Sequence, residues 1–256
     1  MFEVAVLAVS PAGVRLARII SDETGADIHI FSKYAVPGAT SFTKLSDHVQ
    51  EIFPKYRGLI FVMAQGIVSR VTAPCLSSKK TDPAVVVCDD AGRYVISAAG
   101  GHEGGANELC CLVSSITGAT PVITTSTQAN RIYVAGVGTR RGISSNAVKE
   151  ALTEACNEAG ICVENLRLIA SAWLKKEERG LIDAARELNV HIRFIPKFLF
   201  ETYAGVYKPT AAAKYFDISA VAGPSAMIAA HNPAPALSAK VFGGVMIALA
   251  KDTLYG

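Results

Sequence analysis

Residues 97–110 read SAAGGHEGGANELC, with glycines at 100, 101, 104 and 105 around His102 and Glu103, and with Asn107 and Glu108 about one turn later. An imidazole can take or give a proton near neutral pH. Glycines let a backbone approach a ligand closely and adopt positive φ. The N–H groups at the start of a following helix favour an anion. Gly100, Gly101, Gly104 and Gly105 around His102 therefore suit a general base or acid beside an oxyanion pocket. A tight turn carrying a solvated histidine suits the same residues, and the stretch alone leaves both readings open.

Two more turns have related chemistry. In AQGIVSR (64–70), Gly66 could permit close approach, and Arg70, expected on the first turns of a helix, offers a fork for a carboxylate. A plain helix start with an exposed arginine explains this stretch equally. VAGVGTRRGISS (134–145) carries Gly136, Gly138, Arg140 and Arg141 before Ser144 or Ser145 as N-cap. It differs from a dinucleotide fingerprint, because its last glycine comes one residue late. The next strand ends toward Lys175 and Lys176 instead of an acid. Two adjacent arginines favour a polyanionic ligand, with a glycine turn and solvated arginines as the bland alternative. SAWLKKEERGL (171–181) reads as a solvated helix start. His29, His48, His191 and His231 share no ligand-like spacing and read as structural or surface residues. The six cysteines lack CxxC spacing, which implies reduced, mostly buried thiols and no protein-bound metal.

Short β-branched apolar runs alternate with helix-like segments, the pattern of an α/β protein with mainly parallel strands flanked by helices. Strands are expected at FEVAVLAV, DIHIF, GLIFVMA, AVVVCD, RYVISAA and TPVITT, then at IYVAGV, LRLIAS, HIRFIP and a terminal pair in ALSAKVFGGVMIALAK. The polar stretch TSTQANR breaks the pattern. It divides the chain into an α/β domain over 1–128, carrying the GHEGGAN loop, and another over 129–256, carrying GVGTRRG. Ligands of parallel sheets bind outside the carboxyl ends of strands, where each of these turns is expected.

Half the residues are apolar and 18% are charged, which supplies a core and excludes disorder. A formal charge of +3 without a Lys/Arg run argues against nucleic acid. Mean hydropathy is +0.32. The longest uncharged stretch, Ile218 to Ala239, is interrupted by Pro224, His231, Asn232, Pro233 and Pro235, so no membrane span is expected. Glu3 stands where a signal peptide would carry a cation, which points to the cytoplasm.

Taken together, GLIFVMAQGIVSRVTAP, KKTDPAVVVCDDAGRYVISAAGGHEGGANEL and GATPVITTST resemble the N-terminal domain of the CbiG family, the cobalt-precorrin-5A hydrolases of anaerobic cobalamin (vitamin B12) biosynthesis. VAGVGTRRGIS, LKKEERGL and VAGPSAMIAA resemble that family's second domain, so the resemblance spans roughly residues 57–256. It departs in three places. The segment between the domains is short, Glu103 stands at a variable position of GHxGGAN, and Trp173 replaces a residue that is usually small or acidic.

The resemblance implies opening of a δ-lactone on a cobalt-corrinoid, release of acetaldehyde, and a contracted ring in the product, cobalt-precorrin-5B. No separate cofactor is implied, since cobalt arrives inside the substrate. His102 would activate water or relay a proton, with Glu108 or Asn107 as the alternative group. The N–H groups of Gly104 and Gly105 would face the tetrahedral intermediate. Gly100, Gly101 and Gly66 would allow close approach. Arg70, Gly136, Gly138, Arg140, Arg141 and Lys175 would hold the ring's carboxylates, those of the second domain across an interdomain cleft. The expected partner is this small molecule, with no nucleic acid and no membrane. A homodimer and transient contact with other enzymes of the pathway stay open. Two rivals remain: a non-catalytic corrinoid carrier, and a nucleotide-dependent enzyme using GVGTRRG.

Overall fold

The structure, a computed structural model, describes residues 3–101, 103–203 and 220–253. The chain forms two compact α/β units, one ending at Thr125 and the other starting at Ser126.

The first unit is built on a seven-stranded sheet. Its strands are β1 (Val4–Ala8), β2 (Asp27–Phe31), β3 (Thr40–Phe42), β4 (Gly58–Val62), β5 (Ala84–Cys88), β6 (Tyr94–Ala99) and β7 (Thr120–Val122), in the order β3-β2-β1-β4-β5-β6-β7. Every residue of β1, β4 and β5 is buried, as strands covered on both faces require. Helices α1 (Pro11–Thr24) and α4 (Ala106–Thr117) cover one face, through Val14, Ala17, Ile20, Leu109, Cys110 and Val113. Helices α2 (Leu45–Ile52) and α3 (Gln65–Thr72) cover the other, through Val49, Ile52 and Val68. The start of α1 is fixed locally, since Ser10 accepts from the Gly13 N–H at 2.9 Å and Pro11 takes the first turn.

Strands β1 to β5 pair in parallel, but β6 pairs antiparallel with β5, Val85 opposite Ala99 and Cys88 opposite Val95. β7 then follows β6 in parallel. The carboxyl end of β6 thus lies beside the amino end of β5.

The second unit has a five-stranded sheet, order β10-β9-β8-β12-β11. Its strands are β8 (Tyr133–Gly138), β9 (Leu166–Ala172), β10 (His191–Ile195), β11 (Pro233–Phe242) and β12 (Val245–Asp252). A single helical turn, α5 (Ser126–Ala129), precedes it within the polar stretch that breaks the pattern. Helices α6 (Ser145–Glu158) and α7 (Arg179–Glu187) pack on one face, and α8 (Lys197–Phe200) follows β10. The other face carries α9 (Ala222–Ala229), seated on Ala248 and Ala250. β8, β9 and β10 are parallel, while β12 runs against β8 and closes a hairpin with β11. A buried carboxylate pins the far end: Asp252 accepts from Arg167 at 2.7 and 2.9 Å and from the His231 N–H at 2.8 Å. Among the described residues no helix is long and apolar enough to cross a membrane, and no three His, Cys, Asp or Glu side chains gather into a metal site.

Two of the spaced histidines meet. His29 Nδ1 lies 2.8 Å from His48 Nε2, His29 Nε2 lies 3.1 Å from the Tyr56 hydroxyl, and Tyr56 donates to Asp27 at 2.8 Å. A carboxylate only accepts, so Tyr56 spends its proton on Asp27, His29 donates through Nε2, and His48 donates to His29 Nδ1. Burial, then the charge of His48, pushes His29 down to about 4, against opposing pulls from Asp27 and Glu51. Burial also lowers His48. Because the folded state holds fewer protons here than the unfolded chain, this contribution is complete above about pH 6.5 and fades as pH falls toward 4. Urea unfolding at pH 7 and pH 5 should show a loss of roughly 2 kcal/mol, and the His29→Asn variant should show less of that loss.

Candidate functional site

The GHEGGAN loop leaves β6 and enters α4, and crowding explains most of its glycines. Gly100 has φ of 71°, and a side chain there would come within 3.0 Å of the Pro83 carbonyl. At Gly101 it would meet the Thr125 methyl at 2.8 Å, and at Gly104 the Gly100 carbonyl at 2.8 Å. Gly105 has φ of 83° and forms the N-cap of α4. The Ala106 N–H donates to Gly100 O at 3.1 Å and the Asn107 N–H to Gly101 O at 3.0 Å, so the loop is folded onto itself. Among the described residues, nothing accepts from the N–H groups of Gly104, Gly105 or Glu108. Those donors at the start of a three-turn helix are suited to an anion. His102 lies outside the described residues.

Asn107 is used differently from the expectation. Its side chain is 1% exposed, accepts from Ser97 Oγ at 2.8 Å and donates to Thr125 Oγ1 at 3.2 Å. It ties the helix start to β6 and to the end of the unit. Ser97 and Thr125 gave no separate sequence signal. Glu108 is exposed on the first turn of α4, where a carboxylate favours the helix. Glu103 pairs with Lys79 at 3.0 Å in an exposed contact of little energetic weight.

Gly66 and Arg70 do not join this loop. They lie beyond the carboxyl end of β4, whereas the loop sits at the amino end of the neighbouring β5. A five-residue strand puts the two ends roughly 15 Å apart. α3 begins at Gln65, so Arg70 falls on its last turn and not its first, and both Gly66 and Arg70 are exposed. The end that holds them is also the switch point between β1 and β4. There Ser10 donates to Asp90 at 2.7 Å, and Gly13 fits tightly against the Val62 carbonyl.

In the second unit, the turn after β8 brings together two stretches that read separately in the sequence. Gly142, at φ of 73°, donates its N–H to both carboxylate oxygens of Glu178, at 3.0 and 3.2 Å. Lys175 is 9% exposed and sits 3.7 Å from the same carboxylate. The KKEER run is therefore partly internal, a correction to its solvated reading. Glu178 was missed because a charge run carries no sign of which member turns inward. Gly136 is likewise explained by packing: a side chain there would stand 1.9 Å from the Ala222 carbonyl of α9, so the missing methylene admits a helix and not a ligand. Gly138 lies beside Val221 and Met246 with room for a small side chain. Arg140 and Arg141 are exposed.

Comparison with known proteins matches residues 47–128 to the family model described as cobalamin synthesis G N-terminal. Residues 133–250 match cobalamin synthesis G C-terminus. The chain belongs to the CbiG family. A cobalt-precorrin-5A hydrolase of Salmonella typhimurium is 38% identical over 130 residues, and one of Priestia megaterium 39% over 141. Each match takes in 50% of this chain but only 37% and 36% of the relative, so the chain aligns with little more than a third of either. The crystal structure of CobE, a protein from the cobalamin biosynthetic pathway, is 26% identical, with a TM-score of 0.44 over 47% of this chain and 89% of that one.

Two substitutions test these family positions. Asn107→Ala leaves the Ser97 and Thr125 hydroxyls unpaired and should cost about 1–2 kcal/mol in urea unfolding. Gly136→Ala forces α9 off β8 and should cost more, about 2–3 kcal/mol.

Proposed function

We propose that this chain opens the δ-lactone of cobalt-precorrin-5A and releases acetaldehyde, giving cobalt-precorrin-5B. The observation that carries this reading is the 38% identity, over half the chain, to a relative named for that reaction. The donors at the start of α4 are chemically consistent with it. Water adds to the acyl carbon as His102 takes its proton, and the N–H groups of Gly104, Gly105 and Glu108 stabilise the resulting oxyanion. Collapse breaks the acyl–oxygen bond, leaving a carboxylate on the ring, while the imidazolium returns its proton to the departing alkoxide. The freed hydroxyl then loses its proton as its carbon–carbon bond to the ring breaks. Acetaldehyde departs, and the ring takes up a proton.

Glu108, on the same helical turn, is the second candidate for proton transfer. Arg140 and Arg141 bind peripheral carboxylates of the ring. The protein needs no resident cofactor on this reading, because cobalt comes with the substrate, and it works in the cytoplasm. Its partner is the corrinoid, not nucleic acid or membrane.

Anaerobic incubation with cobalt-precorrin-5A should release acetaldehyde and convert the corrinoid. His102→Ala should lower turnover by roughly 10²- to 10⁴-fold in folded protein. Undiminished turnover in that variant removes His102 from the mechanism. Binding of the corrinoid by the unaltered protein without acetaldehyde would instead make it a carrier.

A further inference from the structure

The turn that carries Arg140 and Arg141 is held by a carboxylate from its own chain. Thr139–Gly142 follows β8, and Gly142 needs a left-handed φ of 73° to bring the chain into α6. In that conformation its N–H points at Glu178, which takes it with both oxygens at 3.0 and 3.2 Å. A turn of this kind is a ready anion site. Here the protein fills it, so a ligand carboxylate finds the backbone donor already engaged.

Three further features show that this contact is built in. The Glu178 side chain is 9% exposed and the Lys175 side chain 11%, and their charges face each other at 3.7 Å. Glu178 is also the N-cap of α7, and its backbone carbonyl accepts from Leu181 and Ile182. Two residues on, a side chain at Gly180 would stand 1.9 Å from the Ile143 carbonyl and 3.0 Å from the Ser144 carbonyl carbon. The first turn of α7 therefore lies directly on the backbone that joins the arginine turn to α6, where Ser144 caps that helix. Lys175 answers the buried charge of Glu178, so the exposed positive charge of Arg140 and Arg141 is not cancelled by it.

We propose that Glu178 is a positioning residue for anion recognition: it fixes the turn that presents Arg140 and Arg141 to the substrate's carboxylates, and touches no substrate itself. The proposal rests on the reading of the function given above. It assigns Lys175 to the support of that turn, and the carboxylate contacts to the two guanidinium groups.

The test compares Glu178→Ala, Glu178→Gln, the double variant Arg140→Ala/Arg141→Ala and the triple variant, using cobalt-precorrin-5A under anaerobic conditions. Glu178→Ala should raise KM about tenfold with kcat within about threefold, the pattern of lost binding rather than lost chemistry. Glu178→Gln keeps an acceptor oxygen and should fall between. The double variant should raise KM at least as much, and adding Glu178→Ala to it should change little further, because the group it positions is gone. Full additivity in the triple variant, or a fall in kcat at constant KM, overturns the proposal. A second readout does not depend on turnover. The Gly142 amide proton should be protected from exchange in the unaltered protein and in the arginine double variant, and should lose protection in Glu178→Ala and part of it in Glu178→Gln. If the unaltered protein turns over nothing, the reaction reading fails while this amide measurement still decides the positioning contact: equal protection in all four proteins overturns it.

Discussion

Because β6 hydrogen-bonds antiparallel to β5, its carboxyl end comes to rest against the amino end of that strand, and the GHEGGAN loop is assembled on the Pro83–Ala84 backbone. In a wholly parallel sheet the loop would open at the end where β1 and β4 part, beside Gly66 and Ser10. The reversal separates the two ends chemically. One receives the start of α4, whose first N–H groups have no acceptor among the described residues, and the other receives Ser10 and Asp90 bound to each other. Asn107 depends instead on the parallel pairing of β6 with β7, which brings Ser97 and the segment after β7 out at one end, where its side chain reaches both Ser97 and Thr125.

Glycine serves two physical ends in this molecule. At 105 and 142 a left-handed turn leads a strand into a helix, and at 142 it aims the backbone N–H at Glu178. At 101, 104, 136 and 180 the missing methylene lets another part of the chain come within what would be contact distance. The two uses look alike in a sequence, and only the partner distinguishes them. Gly136 shows the difference most clearly, because the space a ligand might have used is occupied by the Ala222 carbonyl.

Much of the fold was legible from residue patterns. The buried runs of β1, β4 and β5, the Ser144 cap and the restart at Tyr133 follow from apolar patterning and capping chemistry, and the two α/β units were expected. The reversal of β6 is written in the connection and not in the apolar pattern: residues 89–93 are too few for a parallel crossover, and the general pattern of mainly parallel strands hid that signal. The short edge strand β3 lacked enough residues to show a period. At the sites, residue types announced the turns but not their occupants. Asn107 and Glu178 turn inward through contacts with residues well removed in sequence, which no local spacing encodes, and Lys175 follows Glu178 inward.

On the proposed reaction, water attacks the acyl carbon of a lactone at the loop entering α4. Incubating the unaltered protein with cobalt-precorrin-5A in heavy-oxygen water, and weighing the corrinoid product, tests it directly. The expected result is one heavy oxygen retained in the new carboxylate together with loss of the two-carbon unit. A corrinoid that loses that unit without gaining the label would contradict acyl attack, and a corrinoid recovered unchanged would contradict the reaction itself.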